Sequence, residues 1–356
     1  MKVVIVSPGG EFLGGGMGTV SRNIKIGLNS LLADDSVEIL DSRGESNIIF
    51  SFYYFIISLM KYLLICIKKS DDLVVHINVS ERLSFFRKAC FVGVSNIFNV
   101  PCVLHHHGAE VISFYENASS LSRFLVRYSV DHSSLNLVLG TKWECFLKSI
   151  CRNCNVEVLH NAVPIHELHA ASTKNDKFVI SMLANLCERK GVVIALKALR
   201  ELKGKGLDAH IHFIGGGDVD KYTALAEEHG VKSYCTFHGW VRSEVALQYL
   251  ASSDLMILPS YDEGLPMVIL EAMAQKIPVV CTPVGSIPEV FMDREDCLFI
   301  EVGNFKSLSN AMLEIGNDKI LRDSLVSNAF EKYESSFSLN VYSKRLLNIY
   351  KTLIRA

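Results

Sequence analysis

The sequence lacks a surplus of charge of either sign. Its formal net charge is −2, so it has none of the whole-protein basic field that nucleic-acid binders carry, and nucleic acid is a poor partner. It also lacks low-complexity tracts and sequence repeats, which argues against linker-rich chains and repeat arrays. A second CxxC to pair with its single one is missing too. The ten cysteines are scattered, mostly in apolar runs such as those holding Cys90, Cys102 and Cys281. "CRNC" (Cys151, Cys154) has redox or zinc spacing but no second CxxC or histidine pair beside it, so reduced cytosolic thiols are expected. The opening "MKVVIVSP" has one lysine and only four apolar residues in a row, and reads as a strand rather than a signal peptide.

What is present is apolar pattern. With 356 residues, 49% of them hydrophobic, the chain can build two sizeable cores. Strand-like runs fall at 2–7, 37–40, 73–77, 101–105, 135–139, 156–159, 178–183, 209–214, 234–238, 254–258, 278–281 and 297–301, with helical patterns between most of them. Such alternation reads as parallel sheets covered on both faces. Twelve strands are too many for one ordinary open sheet, and the polar stretch 164–177 sits between the two series. The expected fold class is therefore α/β, with two doubly wound (Rossmann-like) domains, 1–165 and 166–337, facing a cleft. Ligands of such sheets bind beyond the carboxyl ends of the strands. The run 48–67, "IIFSFYYFIISLMKYLLICI", is long enough to span a bilayer. Lys61 inside it and the flanking strand patterns favour a helix of an α/β domain, with a possible face on a membrane surface at 48–69.

Candidate residues cluster after strands. After the first comes "GGGMG", with Gly15, Gly16 and Met17 running into a helix, where backbone amides and the helix dipole suit an anion. After the third, Arg82, Arg87 and Lys88 form either a solvated helix face or a basic pocket for a phosphorylated acceptor. After the fourth comes "HHHG". Neighbouring residues of a strand point to opposite faces, so the three cannot converge on one metal, and His107 is placed to donate a hydrogen bond to a ligand. In the second half Arg189 and Lys190 precede a helix and suit a diphosphate. "IGGGDVD" offers Gly215 and Gly217 for close backbone approach, and its aspartates read as helix caps rather than metal ligands. "YDEGLPMVILEAMA" places Glu263 in a loop and Glu271 eight positions on, within a helix expected from Pro266. Carboxylates accept hydrogen bonds from diols. The loop residues Gly264, Leu265 and Pro266 and the free amides around Met267 and Val268 suit a diphosphate. The combination describes a nucleotide-sugar site; the plain alternative is a buried structural Glu271 and a surface Glu263.

These residues carry a resemblance. "EGLPMVILEAMA", flanked by "ASSDLMILPSYDEG" and "PVVCTPVGSIPEV", with "ERKG", "FIGGG" and "FHGWV" in order, resembles the E-x7-E signature of retaining GT-B glycosyltransferases of family 4. "SFFRK" followed by "HHHG" is similar to bacterial members that build surface polysaccharides. The resemblance implies that Glu271 holds the ribose hydroxyls, Glu263 contacts the donor sugar, Lys190 neutralises the leaving diphosphate, and His107 touches the sugar or the reacting oxygens. It implies no metal and no cofactor beyond the nucleotide-sugar donor (UDP- or GDP-linked). It also implies a last helix, within 338–356, packing back on the first domain. The expected partners are a nucleotide sugar and a saccharide or lipid-linked acceptor, and the expected place is the cytoplasm, at the inner face of the membrane. The chain departs from the family at Asn185, where an arginine is usual, and at Ala162 and Lys276, where glycines are usual. A nucleotide-sugar epimerase, a phosphorylase and a non-catalytic sugar-nucleotide sensor remain as alternatives on the same scaffold.

Overall fold

β-branched and leucine-rich runs become strands of two to seven residues, and the 3.6-period segments between them become helices. The computed structural model describes residues 1–10, 16–32, 36–44, 48–68, 70–80, 83–108, 110–151, 153–166 and 177–355. The chain divides into two compact units, Met1–Ala162 with Leu339–Ala356, and Val163–Ser338. The division falls at 162/163 and 338/339, beside the 165/166 and 337/338 expected from sequence; residues 167–176 of the expected linker lie outside the described residues.

The first unit runs β1 (Lys2–Ser7), α1 (Gly16–Asn29), β2 (Val37–Asp41), α2 (Ile48–Ile67), β3 (Leu73–Val79), α3 (Leu83–Ile97), β4 (Cys102–His106), α4 (Val111–Glu116), α5 (Ser120–Asp131), β5 (Leu135–Val138), α6 (Thr141–Ile150) and β6 (Val156–Val158). Its sheet is parallel throughout, in the order β2-β1-β3-β4-β5-β6. Every residue of β3 and β4 is buried, because helices cover both faces. His76, Asn78, His105 and His106 are therefore polar groups inside a core, and must find partners there.

The second unit runs β7 (Phe178–Leu183), a 3-10 turn (Glu188–Lys190), α7 (Val192–Lys203), β8 (Ala209–Ile214), α8 (Val219–Glu228), β9 (Cys235–Gly239), α9 (Ser243–Ala251), β10 (Leu255–Leu258), α10 (Met267–Ala274), β11 (Val279–Cys281), α11 (Ile287–Val290), β12 (Leu298–Phe299), α12 (Phe305–Asn317) and α13 (Lys319–Lys332). The parallel order β12-β11-β10-β7-β8-β9 is the Rossmann order counted from β7. α7 shows why it forms: Val192, Ala195, Leu196, Leu199 and Leu202 recur at helical spacing and are all buried. Each Leu-sized side chain so placed stabilises the unit by about 1.5–3 kcal/mol.

The last helix, α14 (Leu339–Arg355), belongs to the first unit, where it packs on α1. Tyr342, Leu346 and Tyr350 recur every four residues on its buried face. All ten cysteines are free; of the CRNC pair, the Cys151 Sγ donates to Asp131 Oδ1 at 2.7 Å. The apolar run 48–67 is α2, one helix long and apolar enough to cross a membrane by length and composition, with 22% of its window Phe50–Ile67 buried in the fold.

Candidate active site

In a Rossmann sheet the crevice opens where the chain leaves for opposite sides of the first strand. In the second unit that point lies between β7 and β10, which pair at Leu255↔Ile180 and Met256↔Ser181. The loops following these two strands bring together residues 73 apart in sequence. Lys190 Nζ lies 2.5 Å from Glu263 Oε1. Ser260 Oγ donates to the same oxygen at 2.7 Å. Arg189 Nη1 is 3.7 Å from Glu263 Oε2 and donates to the Asp262 carbonyl at 2.6 Å. Glu263 is 5% exposed, so this buried carboxylate is compensated by two cations and a hydroxyl, as a buried charge requires.

The loop is held from behind. Thr282 Oγ1 donates to the Ser260 carbonyl at 2.6 Å, and Ser286 N donates to the Gly264 carbonyl at 3.0 Å. Gly285 has φ +62°, and a Cβ there would lie 1.9 Å from the Glu263 carbonyl oxygen. Only glycine fits both the conformation and the space.

Glu271 is the contrast. It sits on α10, half-buried, and among the described residues its carboxyl has no hydrogen-bond or ion-pair partner. Desolvation pushes it up to about 7. Pro266 stands just before α10 rather than in its first turn, and offers no side-chain cap. Among the described residues the first-turn amides at the half-buried Met267 and Val268 therefore meet no capping side chain. Gly264, Leu265 and Pro266 are buried in the connecting loop.

Gly215 and Gly217 are packed tightly against the chain's own backbone. A Cβ on either would strike the carbonyl oxygen of Ala184 at 2.0 Å or Leu186 at 2.3 Å. Their need for glycine is met by the backbone of the β7 exit, inside the unit. Asp218 accepts from Lys221 N at 3.1 Å and caps α8, which is the capping role expected of it. Sequence reasoning missed Trp240, 68% exposed just beyond the carboxyl end of β9, whose Cβ is 3.6 Å from the position of a Cβ on Gly216. An exposed indole at a strand end, preceded by a glycine, was the available signal. Ser260 was also missed; a serine in a loop carries no signal of its own.

The first unit's carboxyl edge holds a buried polar chain. Tyr350 Oη lies 2.7 Å from His76 Nδ1. His76 Nε2 is 3.1 Å from Asn78 Oδ1 and 3.2 Å from His105 Nδ1. His107 Nε2 is 2.9 Å from the same Asn78 Oδ1, and Asn78 Nδ2 donates to Ser21 Oγ at 2.8 Å. Burial lowers His76 to about 4 and, with the neighbouring His76 and His106, His107 to about 3, so both rings are neutral near pH 7. An amide oxygen only accepts, which fixes the proton on Nε2 of each ring. His76 Nδ1 then accepts from Tyr350. His107 was expected to donate to a ligand; its N–H is instead held by Asn78, and its remaining ring nitrogen, Nδ1, is an acceptor.

Gly16 opens α1, and the half-buried Met17 accepts Ser21 Oγ at its carbonyl at 2.9 Å; Gly15 and Arg82 lie outside the described residues. Lys88, expected to meet an acceptor, is fully buried and donates to the Val6 carbonyl and to Ser42 Oγ. It is an internal group, because α3 carries it inward behind β1 and β2. Arg87, next to it, is half-buried with an unpartnered Nε.

Comparison with known proteins bears on the second unit first. Residues 165–332 match the family Glycosyl transferases group 1. The chain is 24% identical over 273 residues to the putative teichuronic acid biosynthesis glycosyltransferase TuaC of Bacillus subtilis, covering 74% of this chain and 67% of TuaC. It is 25% identical over 260 residues to the putative colanic acid biosynthesis glycosyltransferase WcaL of Salmonella typhimurium, covering 69% of this chain and 63% of WcaL. The matched stretch thus spans about two thirds of these relatives' own lengths. Among solved structures, Anabaena Alr3699/HepE in complex with UDP superposes with a TM-score of 0.79 over 99% of this chain and 100% of that one, at 16% identity; the same protein was also solved with UDP-glucose. The likeness establishes the fold: two parallel Rossmann-like α/β units, the GT-B architecture.

Proposed function

We propose that the chain is a retaining, metal-independent glycosyltransferase that moves a hexose from a nucleotide diphosphate sugar (UDP- or GDP-linked) to a hydroxyl of a saccharide acceptor in surface-polysaccharide synthesis. It does so in the cytoplasm, at the inner face of the membrane. The observation that carries the reading is the Lys190–Glu263 pair at the β7/β10 crevice, with Glu271, unpartnered among the described residues, on the helix that follows. Relatives named for polysaccharide biosynthesis and a structural neighbour that holds UDP support it.

The chemistry follows from charge. The first-turn amides of α10, with Lys190 and Arg189, hold the donor diphosphate, replacing a metal in stabilising the leaving group. Binding draws Lys190 from Glu263 toward the phosphates, and Glu263 is left to accept from the sugar hydroxyls. Glu271 accepts from the ribose diol, and its ionised form is favoured there because the diol supplies the hydrogen bonds it lacks in the free chain. The bond from the anomeric carbon to the phosphate oxygen breaks, and the acceptor oxygen bonds that carbon on the same face. The acceptor proton passes to the departing diphosphate. His107, neutral with Nδ1 as its accepting nitrogen, orients a hydroxyl of the donor sugar or the acceptor.

The test is a panel of UDP- and GDP-sugars, each incubated with the chain with and without saccharide acceptors, and product analysis of the anomeric configuration. Release of UDP or GDP with a retained glycosidic product supports the reading. Interconversion of free nucleotide sugars without acceptor indicates an epimerase, and binding without turnover of any donor indicates a sensor.

A further inference from the structure

Among the described residues of the first unit, a group of basic side chains stands around a single carboxylate. Asp41, at the end of β2, accepts from the amides of Gly9 at 2.8 Å, Arg43 at 2.8 Å and Gly44 at 3.0 Å, so both its oxygens are engaged by backbone. Around it stand Lys88, buried on Ser42 Oγ, Arg87 and the exposed Arg43. Among the described residues no ion pair reaches any of the three. Burial disfavours the charge on Arg87, Arg43 adds repulsion, and Asp41 offsets part of it. Two guanidinium groups about one carboxylate that backbone amides already engage, with the Arg87 Nε buried and unpartnered among the described residues and the Lys88 charge disfavoured by burial, form a site suited to an anion.

An apolar surface begins at the same place. A Cβ on Gly44 would lie 2.5 Å from Tyr54 Cδ2, so the start of α2 abuts the Arg43 turn. α2 packs on α3 through Phe55, Tyr62 and Phe91. On its other side Tyr53, Ile56, Met60, Leu64 and Ile67 recur every three or four residues and are 42 to 61% exposed. The stripe is about 21 Å long at 1.5 Å per residue. Contiguous exposed apolar surface of this kind marks a binding surface.

We propose that Arg43 and Arg87 bind the phosphate of a single lipid phosphate whose hydrocarbon chain lies along the exposed stripe of α2. Charge complementarity selects this occupant: a cationic pocket at one end, apolar along its length. Three strand spacings, β2 to β1 to β3 to β4, place this phosphate about 14 Å along the sheet edge from His107, which leaves room for sugar between the lipid phosphate and the reacting hydroxyl. That the lipid phosphate is the acceptor's carrier rests on the transferase reading; that it binds does not.

The experiment is calorimetric titration of the full chain with farnesyl phosphate, farnesol and inorganic phosphate, with UDP titrated into the same samples. Farnesyl phosphate is expected to bind at least about tenfold tighter than either of the others. Arg87→Gln, the surface variant Arg43→Gln and the stripe variant Met60→Ser are each expected to weaken farnesyl phosphate binding, the arginine variants by about tenfold. Farnesol binding as tightly as its phosphate ester overturns the anion site. Inorganic phosphate binding as tightly as the ester overturns the stripe. Unchanged affinity in both arginine variants, or a concentration-dependent dimer that covers the stripe and excludes the ester, overturns the proposal. If the chain binds UDP but not farnesyl phosphate, the lipid site falls and the transferase reading stands. If it binds farnesyl phosphate but not UDP, the lipid site stands and the transferase reading falls.

Discussion

Tyr350 Oη lies 2.7 Å from His76 Nδ1, across 274 residues of sequence. The hydroxyl of the terminal helix thereby reaches the ring that shares Asn78 Oδ1 with His107. Tyr350→Phe leaves a buried imidazole nitrogen without its donor, at a cost of about 1–2 kcal/mol. We expect denaturant melts to show that loss. We also expect sugar transfer by Tyr350→Phe to fall in kcat more than in donor KM, because the tautomer of His76, and through Asn78 the hold on His107, loosens. Equal stability of variant and parent would contradict the hydrogen bond.

Glu271 ties stability to pH. Its carboxyl stands at about 7 in the folded chain against an ordinary 4.5. The folded state therefore holds more protons between those values, and the stability this group lends is full below about 4.5 and lost as the pH rises through about 7. Glu271→Gln removes the charge. Its Tm is expected to exceed the parent's by about 2 °C at pH 8 and to match it at pH 4, while its affinity for the nucleotide at pH 8 falls about tenfold. Thermal scans at the two pH values, with nucleotide titration, check both halves.

Gly285 supports Glu263 from the next loop. Gly285→Ala forces a Cβ to within 1.9 Å of the Glu263 carbonyl oxygen at φ +62°, so the loops must part. We expect about 2–4 kcal/mol of destabilisation, together with a larger loss of turnover than of nucleotide affinity. Circular-dichroism melts and steady-state kinetics read the two effects.

In the proposed mechanism the diphosphate is held by Lys190, Arg189 and helix amides rather than by a metal ion. Transfer in excess chelator is therefore expected to equal transfer in added magnesium. A loss of more than about tenfold in chelator, restored by magnesium, contradicts the assignment of those groups.

The twelve strands of the described residues were legible, because largely buried parallel strands read as short apolar runs such as KVVIVS and FVISML. So was the cluster at the β7/β10 crevice, since Arg189, Lys190 and Glu263 follow strands directly. What the sequence hid is direction. Lys88 and Arg87 are adjacent, yet a helix turns them about 100° apart, so one is internal and the other half-exposed. His107 looked like a donor because its partner, Asn78, comes from a strand 29 residues away. At Gly215 and Gly217 the sequence does not separate close approach to a backbone from close approach to a phosphate, because both leave the same glycine.

The most direct measurement is Glu263→Ala assayed twice, by calorimetric binding of UDP and by single-turnover transfer from the donor that the panel selects. Removing the carboxylate frees Lys190 for the diphosphate, so UDP affinity is expected to be equal or higher, while transfer falls by at least about a hundredfold. Transfer at the parental rate, or loss of UDP binding together with turnover, would contradict the assignment of Glu263 to the sugar and of Lys190 to the phosphates.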